Sequence, residues 1–162
     1  MIEVTRLPPE RWKEARDLRL TALQTEPTAF GSSYEEEANF TEAEWKRRTA
    51  NALFAISDNR PIGTITYLIN ERVKTKHIAQ IFGVYVDPNF RGRGVGRNML
   101  EKALDLIGEN KGIVKVRLTV NPQRTAAITL YKSLGFAIVG ELKNELKVGG
   151  EFYDEVIMEK ML

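Results

Sequence analysis

The stretch Ile81 to Met99, IFGVYVDPNFRGRGVGRNM, constrains the fold more than any other part of the chain. Ile81, Phe82, Val84, Tyr85 and Val86 form an apolar run rich in β-branched residues that reads as a buried strand, and Asp87-Pro88-Asn89 closes it with turn chemistry. Gly92, Gly94 and Gly96 then alternate with Arg93 and Val95, flanked by Arg91 and Arg97. Val95, Met99, Ala103 and Leu106 recur at helical spacing, with Leu100, Leu104 and Ile107 beside them, so a helix begins inside the glycines. The first turn of a helix carries N–H groups without intrahelical partners and about half a positive charge. Glycines remove the side-chain bulk that would hold an anion away, and they accept positive φ. Such a corner is a cradle for phosphate, to which the arginines add full charge. A tight turn with solvated arginines is the plain alternative, and spacing decides between the two.

The spacing fits neither common nucleotide motif. A dinucleotide fingerprint needs G-x-G-x-x-G and an acidic residue closing the next strand, whereas here the next strand ends at Val120-Asn121. A nucleotide P-loop needs G-K-[ST], which the chain lacks. Arg91-Gly92-Arg93-Gly94-Val95-Gly96 instead resembles the Arg-x-x-Gly-x-Gly pyrophosphate loop of the GNAT superfamily of acetyl-CoA-dependent N-acetyltransferases, at every defined position. The resemblance implies acetyl-CoA as cosubstrate, with its diphosphate on residues 91–97 and its pantetheine amides paired to the backbone around Val84, Tyr85 and Val86.

Composition sets the outer limits. With 162 residues, 43% hydrophobic and 28% charged, the chain is expected to form a single soluble domain over residues 1–162. The 24 basic and 22 acidic side chains leave a net charge of +2, too balanced for general nucleic-acid or membrane binding. There is no cysteine, which removes disulfides, thiolate metal sites and a sulfur nucleophile; no metal is expected. The single histidine, His77, stands at a strand start without the partners of a triad. Neither a membrane span nor a signal peptide's apolar region is seen, so a cytoplasmic protein is expected.

Along the chain, the patterns predict a strand at Ile2–Arg6, a helix after Pro8-Pro9 to about Gln24, and a loop over Ala29–Tyr34. Thr41-Glu42-Ala43-Glu44 is a capping box that opens a helix to about Ala50 with Trp45 inward. Strands follow at Ala52–Ser57, Ile62–Ile69 and Ile78–Val86, the first two joined by a hairpin turn at Asp58-Asn59-Arg60-Pro61. After the helix from the glycines come a strand at Ile113–Val120, parallel to the one before, and a helix from Arg124 to Leu134. A strand at Phe136–Leu142, a polar hairpin through Gly149-Gly150 and a strand at Phe152–Met161 complete the order β-α-α-β-β-β-α-β-α-β-β. This is a mixed α/β sheet of about seven strands, mostly antiparallel, with helices on both faces, and it is the element order of the GNAT fold that the motif implies.

A second segment resembles the same family independently. Ala126-Ala127-Ile128-Thr129-Leu130-Tyr131-Lys132-Ser133-Leu134-Gly135-Phe136 is similar to its A-x-x-L-Y-x-x-x-G-F element, about thirty residues beyond the first motif. The resemblance assigns Tyr131 to the cofactor sulfur and places Ala127 and Lys132 against the cofactor. Many relatives carry Asn seven residues before the Tyr; here Arg124 stands there, with Asn121 the nearest Asn. Asn121 is carried over as a cofactor contact, and Arg124 as a phosphate contact. Chemistry gives the tyrosine its task. Attack of an amine on a thioester expels a thiolate, and a donor near sulfur stabilises the charge that develops there. With a phenol pKa of about 10 and a thiol pKa of about 8.5, full proton transfer runs uphill by roughly a factor of thirty, so a hydrogen bond is the expected role.

An alkyl ammonium must also lose a proton before it can attack. Relatives often place a Glu at the position of Gln80, whose amide is no base. Glu37, Glu71, Asp154 and Glu155 remain, alone or through water, although each is also an ordinary surface charge. Glu35-Glu36-Glu37, with Phe30 and Tyr34, lies where an acceptor would enter and would draw a cationic amine, unless it is simply a solvated helix start. The expected partner is a small-molecule or peptide amine bound by a monomer or homodimer. A catalytically silent acyl-CoA-binding regulator and a transferase of another acyl group are the alternatives.

Overall fold

The computed structural model describes residues 1–162 and divides them into two compact units, Met1–Tyr67 with Gly83–Leu104, and Leu68–Phe82 with Asp105–Leu162. In the first unit, β1 (Glu3–Thr5) pairs antiparallel with β2 (Ala52–Ser57), Val4 opposite Ala55. β2 pairs antiparallel with β3 (Arg60–Ile69) from Ala52↔Thr66 to Ser57↔Arg60. Their hairpin turns on Asp58 and Asn59 at φ 48° and 60°, a left-handed pair that short Asx side chains tolerate and that matches strand twist.

Three helices lie before β2. α1 (Trp12–Thr25) buries Ala15, Ala22 and Leu23; the first joins Leu7, Ala52 and Phe54 in one apolar cluster, the others Phe30 and Tyr85 in a second. α2 (Tyr34–Ala38) lies where a loop was expected up to Tyr34. Its start is fixed by Ser33, whose hydroxyl accepts from the Glu36 amide while the Glu36 carboxylate accepts from the Ser33 amide. α3 (Glu42–Asn51) opens with the expected capping box: the Thr41 hydroxyl accepts from the Glu44 amide at 3.3 Å and the Thr41 amide donates to Glu44 at 3.0 Å. Trp45 is buried, as its spacing required.

β4 (Ile78–Val86) has its first residues in the second unit, where Ile78–Gln80 lie parallel to Lys115–Arg117 of β5 (Lys115–Val120). The crossover helix α4 (Val95–Glu109) makes that parallel pairing possible. α5 (Thr125–Ser133) ends at Gly135, φ 92°, where a left-handed residue closes the helix. β6 (Ala137–Val148) and β7 (Glu151–Met161) are antiparallel partners, and β7 pairs antiparallel with β5 as well. β6 runs six residues beyond the expected Leu142: its exposed polar stretch stays in the ladder through a register shift, with Asn144 at φ 52° and its amide held by Asp154 at 2.8 Å. The turn is thereby reduced to Gly149-Gly150. The seven strands hydrogen-bond in the order β1-β2-β3-β4-β5-β7-β6, a mixed sheet as expected.

Candidate active site

The glycine corner follows β4 directly. Asp87 accepts from the Asn89 amide at 2.9 Å, a one-turn 3-10 helix covers Pro88–Phe90, and α4 opens at Val95 with Gly94 O accepting from Asn98 N at 3.0 Å. The amides of Val95, Gly96 and Arg97 therefore stand in the first turn, ahead of any i−4 acceptor. Gly92 and Gly94 have φ 74° and 78°, and no atom lies within 4 Å of the place a Cβ would take on either. Both facts fit an anion: left-handed glycines allow successive amides to turn to one side, and the Cβ position of each glycine is open. Val95 is buried and pins the helix mouth to the core, while Gly96 and Arg97 are half-buried. Arg93 is exposed, with its guanidinium 5.5 Å from the Phe90 ring. Arg97 makes a 3.4 Å ion pair with Glu101.

Arg91 is less available than its place in the motif suggests. It donates to Val86 O at 2.8 Å and to Glu26 at 2.9 Å, which braces the corner against the end of α1. The side chain of Tyr85 faces the core beside Ala22, Leu23 and Phe30, so only its backbone can meet a ligand; Val84 and Val86 are half-buried. The ladder with β5 stops at Gln80↔Arg117, and three residues on, Gly83 stands at φ 64°, in the left-handed region inside the strand. An isolated Gly in a β-branched run is the sequence signal that could have marked this position.

Beside Gly83 stands a group no motif announced. Arg19 on α1 donates from Nε and Nη2 to the two oxygens of Glu37, both at 2.9 Å, and Arg48 on α3 donates to the same carboxylate at 3.4 Å. Glu37 is 1% exposed. Burial pushes its carboxyl up, but hydrogen bonds and charge from Arg19, with Arg48 and Ser32, prevail and hold it below the ordinary range. Glu37 is thus neither the solvated charge nor the attractor of cations that the triple-glutamate run suggested. It is also a weak base. Asp154 is weakened likewise, because the Asn144 amide and Lys143 hold its carboxyl low.

In the second unit, Asn121 ends β5 with its side chain buried. Its Oδ1 accepts from Gln123 N at 2.9 Å and its carbonyl accepts from Arg124 N at 3.0 Å, so it shapes the turn into α5. Arg124 is the residue before α5, Ala127 is half-buried in its first turns, and Lys132 is exposed near its end. Tyr131 is 6% exposed and meets Phe136 edge-on, ring centroids 6.0 Å apart. Burial pushes its phenol up to about 12, against a smaller opposing pull from Arg124. It therefore remains a protonated donor at any physiological pH. Gln80 is exposed and donates to Asn70 at 2.8 Å. No group of three or more His, Cys, Asp or Glu is placed to hold a metal ion, and no helix is long and apolar enough to cross a membrane.

Sheet and corner together define the class: a mixed-sheet α/β protein with an open, glycine-rich turn at the mouth of its crossover helix. Residues 13–136 match the acetyltransferase (GNAT) family, and the chain belongs to that family. Acetyl-CoA is the family's cosubstrate. The chain is 28% identical over 122 residues to the L-amino acid N-acetyltransferase AaaT of Escherichia coli K12, covering 72% of this chain and 75% of that protein. It is 39% identical over 80 residues to the [ribosomal protein bS18]-alanine N-acetyltransferase of Salmonella typhimurium LT2, covering 49% of this chain and only 53% of that protein. Among solved structures, the fold matches a GNAT-family acetyltransferase of Streptococcus pneumoniae with a TM-score of 0.87 at 22% identity, over 100% of both chains. It also matches yncA of Salmonella typhimurium, solved with its cofactor acetyl-CoA, with a TM-score of 0.80 at 18% identity, over 100% of this chain and 94% of that one.

Proposed function

We propose that residues 1–162 act as one cytoplasmic N-acetyltransferase domain that moves the acetyl group of acetyl-CoA directly to a primary amine. The observation that carries this reading is the glycine corner, with left-handed Gly92 and Gly94 open on their Cβ sides ahead of the first turn of α4. In this reading the amides of residues 92–97 hold the diphosphate, Arg93 and Arg97 add charge, and Arg91 acts mainly as a brace. The backbone of Val84 and Val86 pairs with the pantetheine amides. Asn121, Arg124, Ala127 and Lys132 contribute further cofactor contacts.

Acetyl-CoA supplies the acetyl group as a thioester. As the new C–N bond forms, the C–S bond breaks; of the two protons that the ammonium sheds, one ends on the CoA sulfur and the other goes to solvent. Tyr131 serves as the hydrogen-bond donor to the departing sulfur. With its phenol near 12 and a thiol at about 8.5, it holds its proton rather than giving it up in the ground state. The acceptors in the names of the two relatives, an amino acid and a protein's alanine, support an amine as acceptor.

Calorimetric titration with acetyl-CoA, followed by thiol release with a panel of amines, tests the proposal. Saturable binding and amine-dependent release are expected. Binding without release on any amine would favour an acyl-CoA-binding regulator, and no binding by folded protein would end both readings.

A further inference from the structure

The acceptor can be specified further, on the reading of β4 just given. If the diphosphate lies at the corner beyond Val86 and the pantetheine arm runs back past Val84, the thioester arrives at Gly83, roughly 10 Å back along the strand at about 3.3 Å per residue. Two hydrogen-bond donors stand there. Arg19 Nη1 lies 3.6 Å and Thr66 Oγ1 3.9 Å from the place a Cβ on Gly83 would occupy.

The Arg19 guanidinium is held rigidly for this position. Its Nε and Nη2 are taken by Glu37, and the Phe30 ring lies 4.8 Å from its Cζ. Nη1 is the nitrogen left over, and it faces β4. Two guanidinium groups share the single carboxylate of Glu37, so one positive charge is uncompensated within the triad. Arg47 and Glu44, the other charges near Arg48, oppose each other. Arg48 is 36% exposed and meets solvent, whereas Arg19 is 16% and Glu37 1% exposed, so solvent screens the charge least at the Arg19 end that faces β4.

We infer that Arg19 reads a carboxylate on the acceptor, and that the substrate is an amine carrying a carboxylate beside it, of the α-amino acid type. A carboxylate seated on Arg19 Nη1 and Thr66 Oγ1 places an amine one carbon away next to Gly83, where the thioester ends. An amine with no carboxylate leaves the surplus charge unanswered, and a diamine adds a second cation to it.

The experiment compares the L-amino acids, each beside its own carboxamide, and the diamine putrescine, as acceptors for the full chain with acetyl-CoA. In parallel, the same compounds are titrated calorimetrically into protein saturated with CoA. At least about tenfold higher kcat/KM for the acid than for its amide is expected, carried by KM, because the bond joins two charged groups. Arg19→Gln alone would leave the buried Glu37 carboxylate with only one ion pair, its long 3.4 Å contact to Arg48, so the variant used is the double Arg19→Gln, Glu37→Gln. It is expected to lose the preference through KM and to lose the calorimetric signal for the acid, while still binding acetyl-CoA. Equal or better use of amides or putrescine by wild-type protein overturns the inference and leaves the transferase reading standing, as does a preference that survives in the double variant. Failure to bind acetyl-CoA, or binding with no acceptor used, overturns the inference together with the reading beneath it.

Discussion

Tyr131, Gly92 and Gly94 make distinct demands on substitution. Burial keeps the Tyr131 phenol protonated to about 12, so Tyr131→Phe removes a donor without altering charge at neutral pH. Steady-state kinetics are expected to show kcat reduced about 10²-fold with KM for acetyl-CoA nearly unchanged, as for loss of one donor to a developing anion. The same shift bears on stability. The unfolded phenol ionises from about pH 10 and the folded one from about 12, so its contribution is full below 10 and lost as pH rises from 10 to 12. Denaturant titrations should show a wild-type decline across that window that is shallower in the Phe variant. At Gly94 the demand is conformational: with φ at 78° and no atom near the Cβ position, alanine meets a strained backbone and little else. Gly94→Ala should cost about 1–2 kcal/mol and Gly94→Asn less, since Asn tolerates the left-handed region. Gly94→Glu should abolish acetyl-CoA binding by calorimetry in protein that still folds, because it adds negative charge where the diphosphate is proposed to sit. These residues were legible from sequence because each belongs to a short, spaced motif. Arg19 and Glu37 were not, being 18 positions apart and joined only by the packing of α1 against α2.

Among the elements, what was legible depended on whether burial had left a period to read. β2 and β4 carry apolar runs that cannot be solvated, and their bounds match the expectation at both ends. α3 was announced by its capping box. Thr41→Ala leaves a first-turn amide without its acceptor and should lower stability in urea by about 1 kcal/mol. α2 escaped notice because five residues are too few to show a helical period, although Ser33-Tyr34-Glu35-Glu36 has the same S-x-x-E form as the box at Thr41. The far half of β6 escaped for a different reason. Lys143, Asn144, Glu145 and Lys147 give no apolar alternation, and they remain in a strand because β7 supplies the partners, with Asp154 receiving Lys143 and the Asn144 amide. Asp154→Ala should loosen that hairpin locally, read as faster amide exchange at Asn144 with little change in global unfolding.

For the molecule as a whole, the proposed cosubstrate should act as a stabiliser, because a ligand that binds only the folded chain shifts the unfolding equilibrium by mass action. At a concentration one hundred times its dissociation constant, the shift is about 2.7 kcal/mol. In a chain of 162 residues, each kcal/mol raises the midpoint by about 2–4 °C, so roughly 5–10 °C of thermal protection is expected. CoA should protect comparably, since the diphosphate and pantetheine contacts do not need the acetyl group. Gly94→Glu should show no protection by either, whereas Tyr131→Phe should keep it, which separates anchoring the cofactor from assisting its departing sulfur. A thermal scan in which Gly94→Glu is protected as well as the wild type would move the diphosphate away from the glycine corner. The backbone argument would then fail even if the chain still acetylates amines, because left-handed glycines at the mouth of α4 would be serving the turn and nothing more.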